Sequence, residues 1–189
     1  MHEVTEPLMN MKVELNWGAK NSSAKYRLIA KDLDSVAKEL GGREEWGKFD
    51  GELGFKWRGD AQGNATLVKL SPAYTITMPV WPHYRKQPQA CKDAWDTMWR
   101  ALKKHEDGHK QIFTHGVTDL VRRLEALRSA KGSEIDTMVV RASKEIQAKH
   151  DQFDRETDHG RSRGVELVIS DECKPKAKRG AKSKPKPKP

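Results

Sequence analysis

Cysteine is nearly missing from this chain: two in 189 residues, Cys91 and Cys173. Two cannot build a disulfide framework, and they lack CxxC spacing, so cysteine usage leaves the redox compartment open. Long apolar runs are missing as well. None approaches the roughly 18–20 residues of a membrane span, which excludes an integral helical membrane protein. The first twenty residues, MHEVTEPLMNMKVELNWGAK, hold no continuous apolar core of the kind a secretory signal uses. No internal repeat suggests a solenoid. What is present is polar for a globular chain, 35% hydrophobic and 33% charged with a mean hydropathy of −0.87. Six Trp, four Phe and three Tyr nevertheless argue against wholesale disorder. The length favours one domain, with or without a tail.

The net charge of +9 suggests a nucleic-acid partner until it is located. Eight of the 36 basic residues lie between Lys174 and Pro189, where there is no acid, which leaves 28 bases against 27 acids in the rest of the chain. The body is nearly neutral and carries no basic stripe with interleaved aromatics, so no specific nucleic-acid partner is expected. The closing KSKPKPKP lacks backbone donors at each proline and has nothing to bury, which predicts a disordered, extended segment with weak attraction to polyanions. The chain thus divides into a flexible N-terminus 1–10, a body 11–172 and a basic tail 173–189.

Within the body, Met11–Trp17 alternates apolar and polar residues, and Lys25–Ala30 is rich in strand formers. Leu33, Val36, Ala37 and Leu40 fall at helical spacing, with Asp32 or Asp34 as the cap and Gly41-Gly42 as the stop. From Leu53 to Val80 the strand pattern returns in three pieces, GFKW, ATLVKL and AYTITMPV, with turn signals at Gly59-Asp60, Gly63-Asn64 and Ser71-Pro72. After Pro88 the period changes. Trp95, Met98, Trp99, Leu102, His105, His109, Ile112, Leu120, Val121, Leu124 and Leu127 predict one long helix from about Gln89 to Ala130, closed by Gly132. A second helix is expected from Ser133 to about Arg155, and Gly164–Ser170 reads as a final strand. Strands followed by two packed helices make the fold class α+β, a mostly antiparallel sheet against an antiparallel helix pair.

His105-Glu106-Asp107-Gly108-His109 is an HExxH sequence inside the long helix. Residues four apart share a helix face, so His105 and His109 can reach one metal ion, with Zn2+ the natural occupant. Glu106, one position round, can take a proton from water as general base, while the metal acidifies that water and polarises a carbonyl. Both histidines continue the apolar stripe of Trp95, Trp99 and Leu102 and so face inward. Gly108 is costly in mid-helix, which implies that something approaches the backbone there.

A second constellation, Phe153-Asp154-Arg155-Glu156-Thr157-Asp158-His159-Gly160, ends the next helix, and an antiparallel return brings it beside HExxH. His159 is the expected third ligand, with a carboxylate such as Asp154 or Asp158 as the alternative. His115 has the metzincin spacing HExxHxxGxxH, but Ile112 replaces the glycine. In a continuous helix His115 turns about 120° away from His109. His83 reads as a surface residue, and His2 and His150 as solvent-facing.

These motifs carry a resemblance. Tyr26–Leu40, the strand ending Met78-Pro79-Val80-Trp81, Trp95 and Trp99, His105-Glu106-x-Gly108-His109 and the Phe153–Gly160 block resemble a bacterial family of uncharacterised domains described as predicted secreted zinc-dependent proteases, related to the zincins. The resemblance spans about residues 26–165. It implies a zincin-like fold, zinc held by His105 and His109, Glu106 as catalyst, a peptide or protein substrate, and a secreted or periplasmic setting. In zincins a carboxylate from the second helix can be a ligand, which adds Glu145 to Asp154. The strand before the active helix there lines the cleft, a role that suits Ala73–Val80. Tyr84, Arg161 and Arg163 are candidate transition-state stabilisers. Two other readings compete: a catalytically silent metal-binding scaffold, and a polyanion- or cell-wall-binding protein acting through its tail.

Overall fold

The structure is a computed structural model that describes residues 11–18 and 21–173. The expected flexible N-terminus 1–10 and the tail from residue 174 onward lie outside the described residues. In chain order the elements are β1 (Lys12–Leu15), β2 (Ser22–Arg27), α1 (Leu33–Gly41), β3 (Lys48–Gly59), β4 (Ala65–Val80), α2 (Gln89–Glu125) and α3 (Gly132–Thr157). The fold is α+β, with one four-stranded sheet and three α-helices among the described residues. Among the described residues no helix is long and apolar enough to cross a membrane.

β4 organises the sheet. β3 runs antiparallel to it, from Lys48↔Thr77 to Gly59↔Ala65. The opposite edge is shared by two parallel strands, β1 against Leu67–Leu70 and β2 against Thr75–Val80. The sheet is therefore mixed rather than mostly antiparallel. Side-chain alternation identifies a strand but not its neighbour, and here α1 and β3 intervene before the chain returns beside β2.

Ser71-Pro72, expected as a turn, lies inside β4. A strand residue points its N–H and C=O to the same side, and the Pro72 carbonyl accepts from Gly18 on the β1 side at 3.0 Å. The missing N–H thus faces the interval between the last β1 pairing at Leu70 and the first β2 pairing at Thr75, where no ladder bond is required. Pro79 is tolerated in the same way. It lies beyond the end of β3, and Trp99 Nε1 donates to its carbonyl at 3.2 Å. The real turn is Asp60–Asn64, where the Asp60 carboxylate accepts from the N–H of Gln62 and of Asn64.

α1 begins as its sequence predicts, with Asp32 capping Ser35 N–H at 2.9 Å. α2 ends at Glu125, short of Ala130, and α3 extends to Thr157. Gly164–Ser170 forms no strand. Val165 is buried, and Leu167 and Ile169 pack on the core, while Val168 is exposed, so packing alone accounts for the alternation. The two cysteines form a disulfide, Cα atoms 5.4 Å apart, which ties the first turn of α2 to a 3₁₀ turn, Asp171–Cys173. Their separation of 82 residues left no local cue to the pairing.

Two apolar clusters flank the middle of α2. One joins α1 through Leu33, Val36 and Leu40 to Ile76, Met78, Trp81, Trp95, Met98 and Leu102. The other joins Val68 and Leu70 to Leu120, Leu124, Ile135 and Val139. Between them α2 lies close on α3, because Gly116 has no side chain where Ile146 packs and Gly108 none where Phe153 packs. A Cβ at Gly116 would overlap the Ile146 side chain. Gly116→Val should therefore cost about 1–3 kcal/mol of stability through overpacking, read as a lower midpoint in chemical denaturation. An unchanged midpoint would show that the two helices have slack at this crossing.

Candidate metal centre

Between the two clusters α2 presents His105, Glu106 and His109, respectively 6%, 3% and 7% exposed. The helix runs unbroken past them, so both imidazoles sit on one face with Nε2 atoms 3.2 Å apart. α3 returns antiparallel and places Asp154 Oδ1 3.2 Å from His105 Nε2 and 3.0 Å from His109 Nε2. Among the described residues these three donors form a group that could hold a metal ion, all within 4.8 Å of one another.

His159 is not in that group. It lines the same cavity, which has a volume of about 410 Å³. Asp158 and His159 both adopt left-handed backbone, with φ of 47° and 51°, and Gly160 follows at 85°. Two successive non-glycine residues in that region are uncommon, and they turn the chain sharply off the end of α3. The His159 N–H is held by the Asp154 carbonyl at 2.9 Å, and Gly160 N–H donates to Thr157 Oγ1 at 3.2 Å.

The remaining candidates are separate from the cluster. His115 is exposed and lines a different groove on α2 with Arg100 and Lys103, as an unbroken helix requires. Glu145 is engaged by Arg123 and Arg141. The Tyr84 hydroxyl donates to Asp96 at 2.7 Å, and Arg163 lies over the Phe153 ring, whereas Arg161 lines the cavity. His83 is half-buried at the start of a 3₁₀ turn. His2 lies outside the described residues.

His150 corrects the expectation of a solvent-facing side chain: it is 9% exposed, with Nδ1 2.9 Å from His109 Nδ1. The signal was present in the sequence. His150 continues the steps of three and four set by Ile135, Val139, Ala142 and Ile146, all buried. Aromatic rings close the site. Phe153 stacks on His105 at 5.0 Å and meets His109 edge-on at 5.0 Å, and Phe49 of β3 lies against His150 at 5.4 Å. Phe153 is what approaches Gly108: a Cβ there would come within 2.5 Å of its ring.

Burial sets the electrostatics. Desolvation lowers the pKa of His105 and of His109, opposed by the charge of Asp154, and takes His150 down to about 4. Neutral imidazoles are the form that binds metal. Desolvation also pushes Glu106 up to about 8, reinforced by the negative charges of Glu45, Asp154, Asp107 and Asp50. The backbone at Gly47 passes so close to Glu106 that a Cβ there would come 2.7 Å from Oε1. His105 Nδ1 is buried with no hydrogen-bond partner.

A folded-state pKa of about 8 means that the folded chain keeps a proton on Glu106 that the unfolded chain releases near 4.5. Its contribution to stability is full below about 4.5 and is lost as pH rises toward 8, with a slope of at most about 1.4 kcal/mol per pH unit. In chelator-treated protein Glu106→Gln should therefore raise the melting temperature at pH 8 more than at pH 5. An equal effect at both values would show that Glu106 ionises normally.

Comparison with known proteins adds one match. Neither the curated proteins nor the solved structures yield a similar chain. A family model described as "Bacterial protein of unknown function (DUF922)" matches residues 23–160, a stretch that includes all but the first residue of β2, then β3, β4, all three helices and every side chain of the cluster. The chain belongs to this bacterial family.

Proposed function

We propose that the domain is a zinc-dependent hydrolase of peptide bonds, with His105, His109 and Asp154 as metal ligands and Glu106 as general base. The observation that carries this reading is the triangle of Nε2, Nε2 and Oδ1 with edges of 3.2, 3.2 and 3.0 Å. Neighbouring donors on a tetrahedral zinc with bonds of about 2.0–2.1 Å stand roughly 3.3–3.4 Å apart, so the three residues fit the ion with little movement. Two imidazoles and one carboxylate are also a donor set that catalytic zinc uses.

When bound, the ion supplies Lewis-acid polarisation of a carbonyl and acidifies water. The chain's own residues do the rest. Glu106 faces the same cavity one residue from His105 and accepts the proton of the attacking water, then returns it to the leaving amine. Its raised pKa suits this cycle, because a nearby cation favours the ionised form and the surrounding acids favour proton recapture. His159 and Arg161, at the wall of the cavity, are the donors assigned to the substrate carbonyl.

The shape of the cavity supports an extended peptide as substrate. Gly47, Phe49, Gly51 and Leu53 line it from one face of β3 and the residue before it. Among the described residues β3 pairs only with β4, so its other edge has unpaired backbone groups to which a peptide can add as a strand. This edge takes the role expected of Ala73–Val80, which is interior to the sheet and paired on both sides over Thr75–Thr77. The zincin resemblance points to the same chemistry.

Two measurements test the reading. Glu106→Gln should keep about one zinc per chain and lose roughly 10²–10⁴-fold in hydrolysis of a peptide mixture that the parent cleaves. Full activity would remove Glu106 from the mechanism, and a zinc-loaded parent with no activity would favour the silent scaffold. Asp154→Ala should release most of the zinc, whereas His159→Ala should retain it and lower the turnover rate. The opposite result would make His159 the third ligand.

A further inference from the structure

HExxH accounts for one nitrogen of each histidine, and the other nitrogen is treated differently in the two rings. His105 Nδ1 is buried without a partner, and the ring is held by the Phe153 face stacked on it, 14° from parallel. His109 Nδ1 has a partner, His150 Nδ1 at 2.9 Å. His150 lies on α3 one turn before Asp154, so the element that supplies the carboxylate also supplies this contact. Phe49 covers the pair from the sheet side, 5.4 Å from His150 and 6.3 Å from His109.

One proton lies between the two Nδ1 atoms, and its owner decides what His109 can do. A neutral imidazole carries a single N–H. If His150 keeps the shared proton, His109 carries its own on Nε2, which faces Asp154 and His105 and then has no lone pair for a metal. If His109 Nδ1 carries the shared proton and donates it, Nε2 is free and His150 must accept, with its own proton on Nε2. We infer that His150 is a positioning residue that holds His109 in the Nδ1–H tautomer, leaving Nε2 free for the metal. This inference rests on the metal reading above. Carboxylates and backbone carbonyls are the usual partners behind a metal-binding histidine. A neutral imidazole there fixes the ring without adding charge to a cavity that already gathers Glu106, Asp154 and Glu45.

The experiment uses the full chain. His150→Leu fills similar space without an acceptor, whereas His150→Asn places an amide oxygen where Nδ1 stood. Zinc affinity, measured against a competing chelator, should fall about 10–100-fold in His150→Leu and stay within a few-fold of the parent in His150→Asn. Circular dichroism and melting temperature report whether each variant is folded. Independently of any variant, long-range ¹H–¹⁵N NMR of the zinc-loaded parent should show His109 protonated at Nδ1 and His150 at Nε2. A folded His150→Leu that keeps parental affinity, equal losses in both variants, or a His150 protonated at Nδ1 overturns the inference while leaving the metal reading intact, whereas a His109 protonated at Nε2 overturns both. A parent that binds no zinc overturns both.

Discussion

The close approach of α2 and α3 is the constraint on which the rest depends. Gly108 and Gly116 are two turns apart on α2, and Phe153 and Ile146 occupy the space that side chains there would take. With the helices held at that distance and antiparallel, Asp154 comes opposite His105 and His109, and His150 opposite His109. Donor spacings of about 3 Å tolerate little sliding, because one residue of slip along a helix moves a side chain about 1.5 Å along the axis and 100° around it. The glycine contacts set the depth of the interface, and the apolar clusters at either end of the pair hold its register.

The same packing creates the electrostatic character of the site. Four histidines and four carboxyl groups, Glu106 and Asp154 among them, meet in a cavity walled by Phe49, Phe113 and Ile146. Desolvation lowers the pKa of His105, His109 and His150 and lifts the Glu106 carboxyl to about 8, so these buried groups resist carrying charge by themselves. The cost of burying such groups is borne by the apolar packing around them. The sheet contributes more than support, since β3 walls the cavity and, among the described residues, leaves one backbone edge unpaired.

The disulfide acts away from the chemistry. It joins the start of α2 to Cys173, so the segment after α3 folds back over the first cluster and buries Val165 beside Gly160. Covalent closure of such a long loop stabilises by restricting the unfolded chain, by about 3–5 kcal/mol in the loop-entropy picture. Secreted and periplasmic proteins form such bonds readily, whereas reducing compartments rarely retain them.

By itself the sequence determined the elements whose signal is local. The 3.6-residue stripe from Trp95 to Leu124 gave the long helix, and four-residue spacing put His105 and His109 on one face. Asp32 capped α1 because a cap is a contact between near neighbours. The unbroken helix also placed His115 away from the site. Tertiary structure alone decided everything that depends on a distant partner. Strand pairing made the sheet mixed and let Pro72 pass through β4, because hydrogen-bond demand at a proline depends on what lies beside it. The rotation of α3 against α2 brought Asp154 to the imidazoles and left His159 on the cavity wall, although both lie within one short motif. It also buried His150, whose stripe was visible but whose partner, forty-one residues earlier, was not. A helical period fixes which residues share a face, and only the packed fold fixes what that face meets.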